Sequence, residues 1–203
     1  MLVRSTGQVF GMSVGGRCCA AAVNQRRAPR ADPGEIDVLL PDVLGEGLVV
    51  VFSGTATSRG SERIEAYYAA RGNRVWSVLS RTGITPRQLR PEEYALVLAY
   101  DIGLADVVQT RAATEEDLSD ADFDVAGFKR RIKENEPKIV AFNGKEAAKR
   151  ALGKESVSYG LQKEKIGGAS VYVLPSTSDR ARAFWDEKHW IELAVAVKKL
   201  RKL

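Results

Sequence analysis

Three short apolar runs, rich in β-branched residues and each stopped by a turn former, constrain this chain more than any other feature. Leu48-Val49-Val50-Val51-Phe52 ends at Gly54, Ile139-Val140-Ala141-Phe142 ends at Asn143-Gly144, and Val171-Tyr172-Val173-Leu174 ends at Pro175. An unbroken apolar run of this length buries both faces of a strand, as in a parallel sheet covered on both sides. A fourth, weaker strand is expected over residues 104–108. Helical patterns separate the strands. Val75, Val78, Leu79 and Thr82 share a face before Gly83. Pro91 opens a helix over residues 92–100. Phe128 and Ile132 lie four apart on a basic helix that stops before Pro137, and residues 145–152 follow the Asn-Gly turn. Trp190, Leu193, Ala194, Val197 and Leu200 form the stripe of a last helix. The expected fold is α/β, a three-layer α/β/α sandwich around a central, mainly parallel four-stranded sheet.

Composition narrows what such a domain can do. A chain of 203 residues suits one domain and a tail. Apolar residues at 44% and charged residues at 28% exclude a disordered or fibrous protein. No apolar run approaches the roughly 20 residues that span a bilayer, so no membrane partner is expected. The net charge of +5 leans only slightly toward a polyanion. The two cysteines, Cys18 and Cys19, are adjacent and cannot build a disulfide framework, a structural zinc site or an iron–sulfur site. One histidine, His189, argues against a His-based zinc site or a Ser–His–Asp triad, and reads as a partly exposed helix residue. Residues 1–35 carry Arg26, Arg27 and Arg30, a Gly-Gly pair and no sustained periodicity. They read as a mobile basic tail, with a transit peptide as the alternative, and residues 36–203 as the folded domain.

Ligands of parallel sheets bind beyond the carboxyl ends of the strands, so the loops after Phe52, Val108, Phe142 and Leu174 are where chemistry belongs. The first, Ser53-Gly54-Thr55-Ala56-Thr57-Ser58-Arg59-Gly60-Ser61, is rich in backbone donors. It fits neither a P-loop nor a dinucleotide fingerprint, and alone it reads as an ordinary turn. The last, Pro175-Ser176-Thr177-Ser178-Asp179-Arg180-Ala181-Arg182, has the hydroxyls and amides of an anion site with two arginines beyond. Alone it reads as a helix cap at Thr177 or Ser178 with the arginines in solvent.

Taken together and in order, the segments resemble the uracil-DNA glycosylase superfamily, specifically its mismatch-specific uracil and thymine branch, from about residue 40 to 200. Residues 48–54 look like the family's first strand. Gly72-Asn73-Arg74-Val75-Trp76 resembles its Gly-Asn-x-Phe-Trp segment, and residues 100–108 its Tyr-Gly-Ile-Gly-Phe-Thr-Asn-Met-Val. Pro137-Lys138-Ile139-Val140-Ala141-Phe142-Asn143-Gly144-Lys145 is close to Pro-Arg-Ile-Ala-Val-Phe-Asn-Gly-Lys. Residues 159–162 and 174–178 are similar to Phe-Gly-Leu-Gln and Met-Pro-Ser-Ser-Ser. One departure matters. The family's first loop reads Gly-Ile-Asn-Pro-Gly, and its Asn positions the hydrolytic water. Here that place, counted from Gly54 and checked against the spacing to Asn73, holds Ala56. A methyl group cannot orient water.

The resemblance implies a DNA repair enzyme of base excision repair, a monofunctional glycosylase that hydrolyses the N-glycosidic bond of uracil flipped out of DNA. It implies no metal, no cofactor and a monomer, cytoplasmic or nucleoid-associated if bacterial, with the tail leaving targeting open. Tyr68 falls at the position that stacks on the extruded base. Gly54, Thr55, Ala56, Asn143 and Ser176 would border it. Arg180 would enter the vacated stack, and Lys145, Ser176, Ser178 and Arg182 would hold DNA. Asp106, where thymine-acting relatives carry Asn, is the candidate catalytic group, with Asp179 a weaker one. The alternatives are a non-catalytic binder of damaged or abasic DNA on the same scaffold, or a glycosylase for another deaminated base such as hypoxanthine.

Overall fold

The computed structural model describes residues 39–202. The expected tail, residues 1–35 with Cys18 and Cys19, lies outside the described residues. The described chain forms a five-stranded sheet in the order β2-β1-β3-β5-β4. β1 (Val50–Ser53) is flanked in parallel by β2 (Ile102–Leu104) and β3 (Ile139–Asn143), and β3 pairs in parallel with β5 (Ala169–Leu174). β4 (Gly160–Ile166) closes the far edge antiparallel to β5. Five short α-helices accompany the sheet: α1 (Arg59–Glu62), α2 (Val75–Arg81), α3 (Val125–Asn135), α4 (Lys145–Leu152) and α5 (Lys188–Leu200).

The apolar runs split by alternation, as strand geometry requires. Val50, Phe52, Ile139 and Ala141 face a cluster with Val78 and Leu79 of α2 and Trp190, Leu193 and Val197 of α5. Val51, Val140, Phe142, Val171 and Val173 face Phe128 and Ile132 of α3 and Ala147, Ala148 and Ala151 of α4. Phe52 stacks on Trp190 at 5.7 Å between ring centroids. Asp124 caps α3 by accepting from the Gly127 amide at 2.8 Å, and Gly153, at φ 65°, ends α4.

Three expectations are corrected. The sheet has five strands, not four. β4 went unseen because its Gln, Lys and Glu residues give an edge strand little apolar signal, and charge on an edge strand blocks pairing with another chain. The Gly167-Gly168 pair, both at positive φ, turns it into β5. Second, β2 is residues Ile102–Leu104 rather than 104–108; beyond Leu104 the chain only follows β1 as an extended segment. Third, the regular three-layer packing is incomplete, because 3-10 helices and loops share the cover with the α-helices. Pro91–Tyr100 is one such 3-10 helix. Only Val97 is buried there, while Leu96 and Leu98 are exposed, so no 3.6-residue stripe holds it as an α-helix.

Candidate active site

The carboxyl ends of β1, β2, β3 and β5 open together into one cleft of about 810 Å³, within the size range of small-ligand sites. Gly54, Thr55, Ala56, Tyr68, Asp106, Asn143, Lys145, Ser176, Ser178 and Arg180 all line it. Arg182 does not; it is exposed and lies 3.8 Å from Asp179. Asp179 is on the wall. His189 sits outside, its ring against Tyr159 and its Nδ1 2.9 Å from Glu192.

Asp106 occupies the floor. Past Leu104 the backbone keeps the register of β1: the amides of Ala105, Val107 and Val108 donate to the carbonyls of Phe52, Gly54 and Thr55 at 3.0, 3.3 and 2.9 Å. That zipper turns the Asp106 side chain under the β1 loop. Its Oδ1 accepts from the Gly54 amide at 3.0 Å, and its Oδ2 accepts from the Thr57 hydroxyl at 3.4 Å. The residue is only 5% exposed. Burial raises its pKa from 3.8 to about 7, the Gly54 amide opposes that rise, and the negative charge of Asp42 adds to it. A carboxyl that changes charge near neutrality can hold water and take its proton.

Ala56 stands beside this group in an isolated parallel bridge to Val108. Its side chain is a methyl, and it offers the cleft no polar group of its own. Tyr68 adopts φ 54°, a left-handed conformation that a bulky residue rarely holds without a reason. Its ring meets Trp76 edge-on at 6.4 Å and tilts against Tyr67 at 6.1 Å. The hydroxyls of Tyr67 and Tyr68 are buried with no partner at hydrogen-bonding distance among the described residues. Burial and the nearby Asp106 charge push both phenols up; the Asn143 amide pulls Tyr68 the other way.

Asn143 is used on both sides of its amide. Nδ2 donates to Thr177 Oγ1 at 2.8 Å, and Oδ1 accepts from the Thr177 amide at 2.9 Å. The pair ties the end of β3 to the loop after β5, and leaves the Asn143 amide one hydrogen and one lone pair for a ligand. On the rim, the Lys145 ammonium lies 4.3 Å above the Tyr159 ring. Ser176 Oγ accepts from the Ser178 amide at 3.3 Å. Arg180 reaches Glu116 at 3.7 Å, with both side chains mostly in solvent, where such a pair contributes little and is screened by salt. Phe184, 75% exposed, lines the same rim. Sequence reasoning missed Thr57, Tyr67, Phe184 and the charged pair of Asp42 and Arg131 behind Asp106. Only the tandem Tyr67-Tyr68 carried a signal, a second aromatic beside the first.

A buried carboxyl, an aromatic ring on a left-handed backbone, and a rim of hydroxyls and charged groups of both signs thus converge on one cleft. The sequence model of the uracil DNA glycosylase superfamily matches residues 41–197. A solution NMR structure from Methanosarcina acetivorans, of a protein provisionally designated a uracil DNA glycosylase, is 23% identical. The match covers 80% of this chain and 96% of that one, with a TM-score of 0.54, a likeness of fold.

Proposed function

This chain belongs to the uracil DNA glycosylase superfamily, and we propose that it is a monofunctional uracil-DNA glycosylase of the mismatch-specific branch in which Asp106 takes over the task of the absent loop Asn. The observation that carries this reading is the Asp106 carboxyl, buried at the cleft floor between Gly54 and Thr57 and titrating near neutrality.

The uracil nucleotide leaves the stack, at a cost of a few kcal/mol that is smallest at a mismatch. Its ring enters the cleft against Tyr68, bordered by Thr55, Ala56 and Asn143. Ser176, Ser178, Lys145 and Arg180 hold the flanking phosphates, which position the strand without reading sequence. Cleavage breaks the bond between C1′ and N1. The electron pair leaves with the base, and positive charge develops on the sugar, as in glycoside hydrolysis. The ionised Asp106 carboxylate stabilises that charge and accepts a proton from the water whose oxygen bonds to C1′. Backbone amides at the strand ends stabilise the departing base anion. Lys145, held over Tyr159, contacts phosphate rather than forming an imine, so the product is an intact abasic site. No step calls on a metal.

Ala56 favours a second reading, a non-catalytic binder of damaged or abasic DNA. Purified protein in excess over a uracil-containing oligonucleotide, in EDTA and followed by alkali, separates the two. Strand scission supports the glycosylase. Binding without scission transfers the assignment to the binder. A panel of U:G, U:A, T:G, hypoxanthine and single-stranded substrates names the base; release of hypoxanthine but not uracil replaces the substrate and keeps the mechanism.

A further inference from the structure

We propose that Arg131, anchored by Asp42, is the positioning residue for Asp106: it fixes the Asp106 peptide from behind and sets the charge that the carboxyl faces. The proposal rests on the catalytic reading of Asp106 and adds the device that holds it. Arg131 lies on α3, whose apolar side, Phe128 and Ile132, is sunk in the core. From there its Nη2 donates to the backbone carbonyl of Asp106 at 3.0 Å, while its Nε donates to Asp42 Oδ2 at 2.7 Å. Asp42 Oδ1 accepts from the Gln109 side chain at 2.7 Å. Both charged side chains are largely withdrawn from water, 17% exposed for Arg131 and 10% for Asp42.

The arrangement holds Asp106 from three directions. The amides of its neighbours belong to β1, its carbonyl belongs to Arg131, and its carboxyl belongs to Gly54 and Thr57. A forked guanidinium can serve a carboxylate and a carbonyl at once; a lysine ammonium on its flexible stem lacks that planar fork. The groups that face Asp106 are few. Asp42 comes from the segment before β1, Arg131 from α3, and the neutral phenols of Tyr67 and Tyr68 from the loop after α1. Asp124, 3.8 Å from Arg131 Nη1 and largely exposed, is the outer neighbour of that guanidinium. Asp42 opposes ionisation of Asp106 and Arg131 favours it.

The test is the pH profile of single-turnover uracil release by Arg131→Gln, Asp42→Asn, Arg131→Lys and Asp106→Ala, each checked for fold by circular dichroism. Arg131→Gln should move the midpoint up by about 0.5–1 pH unit and Asp42→Asn should move it down by a similar amount. Arg131→Lys keeps the charge and loses the fork, so its midpoint should stay near that of the parent while the plateau rate falls about tenfold or more. Unmoved midpoints, or midpoints displaced in one direction by both neutral variants, overturn the proposal. If Arg131→Gln does not fold, the sign of the Asp42→Asn shift decides. Asp106→Ala separates the two levels of the argument. A near-parent rate removes Asp106 from catalysis and the proposal with it. A dead Asp106→Ala beside unmoved Asp42→Asn and Arg131→Gln midpoints overturns the positioning role alone.

Discussion

Replacing Asp106 by Asn should stabilise the protein while slowing it, and the gain should grow with pH. The folded environment raises the carboxyl from 3.8 to about 7, so the folded state binds the proton more tightly than the unfolded chain. Between those two values the folded state holds more protons, and stability falls as pH rises. Above the folded pKa the ionised form carries the full cost, about 4 kcal/mol at roughly 1.4 kcal/mol per unit. Asn never ionises, and its carbonyl oxygen can still accept from the Gly54 amide. Relative to the Asn variant, the parent should lose about 2–3 kcal/mol between pH 5 and pH 8. For a domain of this size that is a Tm gap widening by roughly 5–10 °C. Urea unfolding at both pH values, with equal m-values, measures it. A gap between parent and variant that does not change with pH refutes the reasoning, and so does a parent that is the more stable at pH 8. Either result means that the Gly54 and Thr57 hydrogen bonds outweigh burial. The carboxylate would then be an ordinary buried acceptor, without the poise for proton transfer near neutrality.

Other expectations follow from the same geometry. A Cβ on Gly54 would lie 2.8 Å from Asp106 Oδ1, so Gly54→Ala should displace the carboxylate and lower the single-turnover rate about 10²–10⁴-fold, with a stability loss of about 1–3 kcal/mol from the overpacked site. An unchanged rate would show that the carboxylate's placement is not needed. Phe184→Ala should weaken binding to duplex DNA by roughly tenfold, the scale of one base-stacking contact; equal affinity in a fluorescence titration removes Phe184 from the interface. Arg180→Ala should slow release from duplex more than from single strands, where no stack is held open, and equal slowing on both leaves Arg180 as a phosphate contact. Raising salt should lower affinity in step with the number of phosphates neutralised, and an affinity independent of salt would contradict phosphate contacts by Lys145 and Arg180.

Most of this architecture was legible because burial writes itself into sequence. β1, β3 and β5 are apolar runs enclosed by helices, and α4 follows the Asn143-Gly144 turn over residues 145–152 as expected. β4 was not legible, since an edge strand of Gln, Lys and Glu buries only its ends, Gly160 and Ile166. The rim residues were readable from their loops, but Arg182 was not separable from Arg180. Two positions along a 3-10 helix point in different directions, and only the three-dimensional path shows that one faces the cleft. Asp42 and Arg131 had no signal at all. They lie 89 positions apart, and nothing local marks an Asp in a loop or an Arg on a basic helix as a pair.

Asp106 and Ala56 lie on the two sides of one seam. β1 and the segment after β2 run side by side past their formal ends, joined at Phe52, Gly54 and Thr55 and again by the Ala56 to Val108 bridge. A polar group needed above that seam can be carried by either strand. On the β1 loop it would hang at position 56; on the β2 side it hangs at position 106. The two solutions differ in their requirements. A carboxamide at position 56 would be neutral and could stand near the open cleft. A carboxylate at position 106 is buried, so it needs a partner for each oxygen and no side chain above it. Gly54 serves Oδ1 through its amide at 3.0 Å and leaves the space above through the Cβ it lacks, and the Thr57 hydroxyl serves Oδ2 at 3.4 Å. A glycine at position 54 and a hydroxyl at position 57 are therefore what a buried carboxylate at position 106 requires.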